Sequence, residues 1–214
     1  MKIKKLGHCC FVAEPRTGVR IMTDPGHPDF SGDYLTESNL SAILITHEHA
    51  DHLHVESLKK VLENNPDAIV ITNTSVGKIL DAENIPHTIV EQRQKFDLHG
   101  VTITGFGDLH AEIYLLFGRV QNTGYTIDNL CFPGDAFHYP DVEVDILALP
   151  VSGPWMVMKD AIEYTKKMKP RIVFPVHDGM IKDFAAFIWK IPEALLTPNE
   201  IMFKKLEIGV EEDI

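Results

Sequence analysis

Short apolar runs punctuate this chain and predict its elements. KIKKLG (2–7), CCFVAE (9–14), VRIMT (19–23), AILIT (42–46), AIVIT (68–72), VTITGF (101–106), EIYLLF (112–117), TGYTI (123–127), LCFPG (130–134), DILALP (145–150) and RIVFPV (171–176) all read as strands. Several are β-branched and end at Gly, Pro or Asp. Helical spacing separates some of them. Val55, Leu58, Val61 and Leu62 mark one apolar face in HVESLKKVLENN, and Ile162, Thr165 and Met168 mark another in KDAIEYTKKMK, which stops at Pro170. IKDFAAFIWK (181–190) is a third helical candidate.

The first three strands follow one another closely, as in an antiparallel meander, whereas AILIT, AIVIT and RIVFPV alternate with helices as in α/β units. This mixture predicts two packed β-sheets with helices outside, and it places ligand-binding residues on the loops after strand ends. The C-terminal IMFKKLEIGVEEDI is an edge strand, a partner contact or a tail.

Composition narrows the function classes. The chain has 214 residues, 44% hydrophobic and 24% charged, enough for one substantial core and an expected single domain over 1–214. A net charge of −11 argues against nucleic-acid and anionic-membrane partners, although bound metal ions reverse a local field. Three cysteines, two of them adjacent, read as reduced thiols of a cytoplasmic protein; Cys9 and Cys10 are expected to pack as small hydrophobes. No apolar stretch has the length of a membrane span. The expected partner is a small-molecule substrate, and a homo-oligomer is compatible with the sequence.

The densest chemistry lies in THEHADH (46–52), directly after AILI. His47, His49, Asp51 and His52 are metal-ligand types crowded into six residues at a strand end, with Glu48 and Ala50 as spacers. If the chain stays extended there, His47 and His49 point the same way, and Asp51 and His52 follow the bend. Further ligands are expected at other strand ends. His110 after VTITGF, Asp135 after Gly134 in CFPGDAF, and His177 after RIVFPV are the candidates.

The ordered series His-x-His-x-Asp-His, His, Gly-Asp, His resembles the metallo-β-lactamase superfamily. LGHCCFVAE, TDPG, FPGDAF, LPVSGPWMVMKDA and KPRIVFPVHDG resemble its small cytosolic metal-dependent hydrolases related to ascorbate-6-phosphate lactonase. The resemblance implies a four-layer αβ/βα sandwich of two mixed β-sheets flanked by helices. It further implies His47, His49 and His110 on one metal ion, Asp51, His52 and His177 on another, and Asp135 between them. Flavodiiron-type members carry Glu in place of His49, which points away from the oxidoreductase branch.

Such a pair of divalent ions, zinc first and manganese, iron or nickel as alternatives, would hold a bridging hydroxide for attack on a small ester, lactone, phosphoester or amide. Asp51 would orient the hydroxide and shuttle its proton. Asp24 is either the carboxylate partner of a ligating imidazole or a turn residue before Pro25. The resemblance puts His8 beside the metals as a candidate for substrate contact or proton transfer, with a structural role as the alternative. His138 and Tyr139 are candidate pocket residues, and Trp155 is either an apolar wall or a packing residue. Only 41 residues separate Asp135 from His177, too few for an inserted RNA-clamping domain. Phosphodiesterase or nuclease activity is therefore the second enzymatic reading, and a non-catalytic metal or metabolite sensor is the third.

Overall fold

A computed structural model describes residues 1–16, 18–30, 33–182 and 184–214. The chain forms, in order, β1 (Lys2–Gly7), β2 (Cys10–Arg16), β3 (Val19–Thr23), β4 (Ala42–Leu44), α1 (Val55–Asn64), β5 (Ile69–Thr72), α2 (Thr74–Ala82) and β6 (Thr88–Ile89). It continues through β7 (Lys95–Leu98), β8 (Val101–Phe106), β9 (Gly124–Ile127), β10 (Leu130–Phe132), β11 (Ile146–Pro150) and α3 (Met158–Met168). The last elements are β12 (Ile172–Val176), α4 (Phe187–Leu196), β13 (Met202–Phe203) and β14 (Glu211–Asp213).

These strands make two seven-stranded sheets, ordered β14-β1-β2-β3-β4-β5-β6 and β13-β12-β11-β10-β9-β8-β7. Each sheet is antiparallel through one half and parallel through the other. Strand periodicity explains why both faces of the central strands are apolar. In β4, Ala42 and Leu44 face the opposite sheet while Ile43 faces helices α1 and α2 with Leu58, Val61 and Val76. In β11, Ile146 and Ala148 face inward while Leu147 and Leu149 meet Ala161, Ile162 and Leu196 of α3 and α4. The result is the expected four-layer sandwich.

Local chemistry sets the helix ends. Asn73 caps α2 by accepting from Val76 N at 3.1 Å, and its Nδ2 donates to Thr46 O at 2.8 Å, tying that helix to the THEHADH loop. α3 ends on Lys169 in the left-handed conformation, one residue before Pro170. No helix among the described residues is long and apolar enough to cross a membrane.

Two expectations need correction, and a third resolves to one of its alternatives. EIYLLF is not a strand: Leu115–Phe117 form a 3₁₀ turn with exposed side chains. β8 already pairs with β7 and β9, so no sheet edge remains beside it for this segment. The third helix begins later than IKDFAAFIWK suggests, at Phe187, and continues through Pro192 to Leu196; Asp183 of that stretch lies outside the described residues. The C-terminal segment supplies two edge strands, β13 on β12 and β14 antiparallel to β1.

Phe11 anchors the space between the sheets, with its ring edge-on to Phe132 at 5.4 Å and Phe174 at 5.2 Å. Phe11→Ala is expected to cost about 3–5 kcal/mol of stability, read as a lower urea midpoint with an unchanged slope.

Candidate metal centre

Asp24 follows β3, THEHADH follows β4, His110 follows β8, Asp135 follows β10 and His177 follows β12. Within each sheet these strands run in the same direction, so their C-terminal ends share one rim of the sandwich. The topology thus delivers all of these side chains to one place.

Two clusters result. His47, His49 and His110 place one nitrogen each within 4.8 Å of one another, and a carboxylate oxygen of Asp51 with one nitrogen each of His8, His52 and His177 do the same. Asp135 lies between the clusters. Its Oδ2 is 3.4 Å from His110 Nε2 and 2.9 Å from His177 Nε2, and its Oδ1 is 3.3 Å from His52 Nε2. Asp51 Oδ2 lies 3.5 Å from His177 Nε2 and 3.7 Å from His52 Nε2.

Four of these atoms, His52 Nε2, His110 Nε2, His177 Nε2 and Asp135 Oδ1, are buried and, among the described residues, lie within ion-pair reach of the cluster without making a hydrogen bond. Each such orphan costs about 1–3 kcal/mol unless something satisfies it. Buried imidazole nitrogens and carboxylate oxygens crowded against one another, with no hydrogen bond to satisfy them, are the donor set of a divalent transition metal, so these residues fit one.

Hydrogen bonds behind the clusters turn the imidazoles toward this point. Buried Asp24 accepts from Thr46 N at 2.8 Å, Thr46 Oγ1 at 2.7 Å and His52 Nδ1 at 2.7 Å. With its proton committed to Asp24, Thr46 Oγ1 accepts from His47 Nδ1 at 3.0 Å. His110 Nδ1 donates to Ala111 O. Asp24 therefore orients two imidazoles at once, one directly and one through a hydroxyl. Glu48, read as a spacer, accepts from Ser75 Oγ at the start of α2.

The backbone is strained where the site is built. His8, Asp24 and His177 have φ of 46°, 32° and 57°, a region costly for residues with a Cβ. His177 N donates to His8 O at 3.1 Å and Asp24 N to Leu44 O at 2.9 Å, holding these conformations. Gly134 (φ 63°) is required sterically, because a Cβ there would sit 2.4 Å from Asn122 Oδ1. Asn122 accepts from Asp135 N at 2.9 Å and so fixes the backbone at Asp135 between the two clusters.

Burial lowers His47, and the field of His52 adds to this, so His47 stays neutral well below the ordinary histidine range. Burial opposes charge on His52, but Asp135 and Asp24 outweigh it and raise His52 well above that range. Burial likewise opposes charge on Asp135, and the surrounding imidazoles hold it well below the carboxylate range. Asp51 is depressed too: burial is outweighed by its bond to His8 and by His52 and His177.

Not every expected residue reaches the cleft. His8 is buried; its Nε2 donates to Asp51 Oδ2 at 3.1 Å and its Nδ1 accepts from Gly179 N at 3.1 Å. That pattern is a neutral imidazole standing behind Asp51, not one facing a substrate. His138 donates to Leu109 O at 2.9 Å and packs on Gly107, while half-exposed Tyr139 stacks against Tyr164 under the Lys167 ammonium. Neither lines the cleft, because the chain after Asp135 turns away and sends Phe137 against Trp155. Trp155 does line it, edge-on to His110 at 5.9 Å and His177 at 6.0 Å. Cys9 lies near His52 and Asp135, but burial pushes its thiol well up and it packs in the core. Thr46, Asn122, Phe30, Ile113 and Met180 had no sequence signal; only their position in the fold gives them a part.

A sequence profile of the beta-lactamase superfamily domain matches residues 2–177. The chain is 32% identical over 210 residues to Protein Rv0786c of Mycobacterium tuberculosis, covering 94% of this chain and 96% of that one. It is 27% identical to a UPF0173 metal-dependent hydrolase of Thermococcus onnurineus, covering 83% and 84%. Among solved structures, Igni18, a metallo hydrolase of Ignicoccus hospitalis, superposes with a TM-score of 0.73 at 19% identity, over 99% of this chain and 97% of that one.

Asp24→Ala is expected to weaken zinc binding about 10–100-fold, read by competition with a chromogenic chelator, because His52 and His47 lose their orientation. The raised His52 carries a proton at neutral pH that an incoming metal must displace. Metal affinity is therefore expected to rise with pH by about tenfold per unit for each proton released, until the His52 pKa is passed. An affinity independent of pH would contradict this electrostatic picture.

Proposed function

The chain belongs to the metallo-β-lactamase superfamily and is a metal-dependent hydrolase, and on that premise we propose a binuclear site acting on a small ester, lactone, phosphoester or amide. The observation carrying this reading is the convergence of the buried His52, His110 and His177 Nε2 atoms on Asp135, which lies between the two clusters, with no hydrogen bond among the described residues to satisfy them. His47, His49 and His110 would hold one ion, Asp51, His52 and His177 the other, with Asp135 shared. Divalent ions so held supply Lewis acidity to a substrate oxygen and lower the pKa of water toward about 7. Zinc suits the imidazole-rich set best, while manganese, iron and nickel accept similar nitrogen–oxygen ligands.

The chain's own residues complete the chemistry. Asp51 is ionised, lines the cleft and is braced from behind by His8, so its free carboxylate oxygen is placed to accept the proton of an attacking water and return it to a leaving group. His8 acts as a positioning residue: its donor is spent on Asp51, and Gly179 fixes its tautomer. Trp155 lines the same cleft and gives it an apolar wall. Three free, buried cysteines support placing the protein in the cytoplasm.

The test is hydrolysis by the zinc- or manganese-loaded protein of an aryl acetate, a γ-lactone, an aryl phosphodiester and an aryl amide. At least one is expected to turn over, with loss on chelation and recovery on metal return. Asp51→Asn is expected to lower kcat about 10²–10⁴-fold. Turnover that survives His47→Ala or His177→Ala would sink the mechanism.

A further inference from the structure

The cleft above Asp51 and Asp135 has a volume of about 380 Å³, with a polar floor and different walls. Phe30, Ile113, Pro154, Trp155 and Met180 form those walls, and no lysine or arginine among the described residues lines them. Arg119 is bound to the outside of the site, its Nε donating to His110 O at 2.6 Å. The lysines in the neighbourhood, Lys182 and Lys205, face a separate cavity of about 330 Å³ beyond His8 and Phe30. Lys205 is moreover drawn over the Trp189 ring at 4.6 Å.

The apolar character does not stop at the mouth. Outward from Ile113 the chain presents Leu115, Leu116 and Phe117, exposed by 78, 86 and 78%, and outward from Met180 it presents Phe184, exposed by 86%. Exposed apolar side chains two to four residues along the chain from cleft-lining Ile113 and Met180 offer a path for a ligand, since apolar surface of this kind is seldom left to water without use.

We infer that the substrate carries a neutral alkyl or acyl chain on its reacting carbonyl or phosphoryl group, with that chain laid along Phe30, Ile113, Trp155 and Met180 and leaving past Leu116 and Phe184. This rests on the hydrolase reading of the site and deepens it. The reacting group sits over the carboxylates and imidazoles, and everything beyond it meets hydrocarbon. A substrate with a phosphate or carboxylate remote from the reacting atom would have to leave that anion against apolar walls, without a cation to receive it. Sugar phosphates are disfavoured on this ground, and simple acyl esters, acyl lactones and acyl amides are favoured.

Methyl ketones from 2-pentanone to 2-undecanone keep the carbonyl and resist hydrolysis, so they report binding alone. Calorimetric titration of the metal-free and the zinc-loaded protein is expected to show association strengthening about fourfold per added methylene while the chain remains on the wall. A hexose 6-phosphate is expected not to bind the metal-free protein. Ile113→Asp and Met180→Asp, each checked for an unchanged far-ultraviolet spectrum and cooperative melting, are expected to flatten the series. A flat series in the native protein, or binding of the hexose phosphate in preference to the ketones, would overturn the assignment. Flat ketone binding combined with sedimentation on neutral phosphatidylcholine vesicles would also overturn it, making the exposed residues a surface contact. Aryl acetate hydrolysis run alongside separates the two readings. A flat series with intact hydrolysis removes the acyl-chain assignment alone, and a rising series with no hydrolysis of any substrate removes the hydrolase reading alone.

Discussion

A single buried carboxylate organises this rim of the molecule. Asp24 takes hydrogen bonds from Thr46 N, Thr46 Oγ1 and His52 Nδ1, and through the threonine hydroxyl it reaches His47. A carboxylate with no exposure survives in such a place because its acceptor capacity is filled by donors with fixed directions. The same bonds decide which nitrogen of each imidazole faces the cleft. Loss of Asp24 would leave the THEHADH loop attached to the sheet but its imidazoles free to turn.

The sandwich supplies what that carboxylate cannot. Two sheets facing each other across Phe11, Phe132 and Phe174 bring the ends of five separate strands to one rim. The strain in His8, Asp24 and His177 is tolerated because the strands beneath them are buried on both faces and do not yield. Close backbone approach adds to the rigidity: a Cβ on Gly26 would overlap Asp51 O, and one on Gly134 would overlap Asn122. The site is thus a rigid ring of donors around a gap of charge, closed on one side by Trp155.

Much of this was legible in the sequence for physical reasons. The strand cores AIL (42–44) and ILALP (146–150) are apolar at every position because both faces of the strand are covered, and that pattern survives without tertiary context. His47, His49, Asp51 and His52 announced themselves by density, and His110, Asp135 and His177 by following strands. EIYLLF misled because its composition suits a strand, while the edge it would have joined was already occupied. β7 and β14 carry charged residues and β13 is only two residues long, so only pairing defines them. His138 and Tyr139 followed Asp135 in sequence and not in space. Thr46 and Asn122 were invisible, because a hydroxyl or an amide gains its part only from what lies across the gap.

The proposed binuclear site makes the clustered imidazoles and carboxylates two adjoining metal positions. Anomalous diffraction from crystals grown with zinc, collected on both sides of the zinc absorption edge, tests it most directly. The account predicts two peaks per chain, one among His47, His49 and His110 and one among Asp51, His52 and His177, with Asp135 between. A single peak held away from Asp135, or none at these residues, would contradict it.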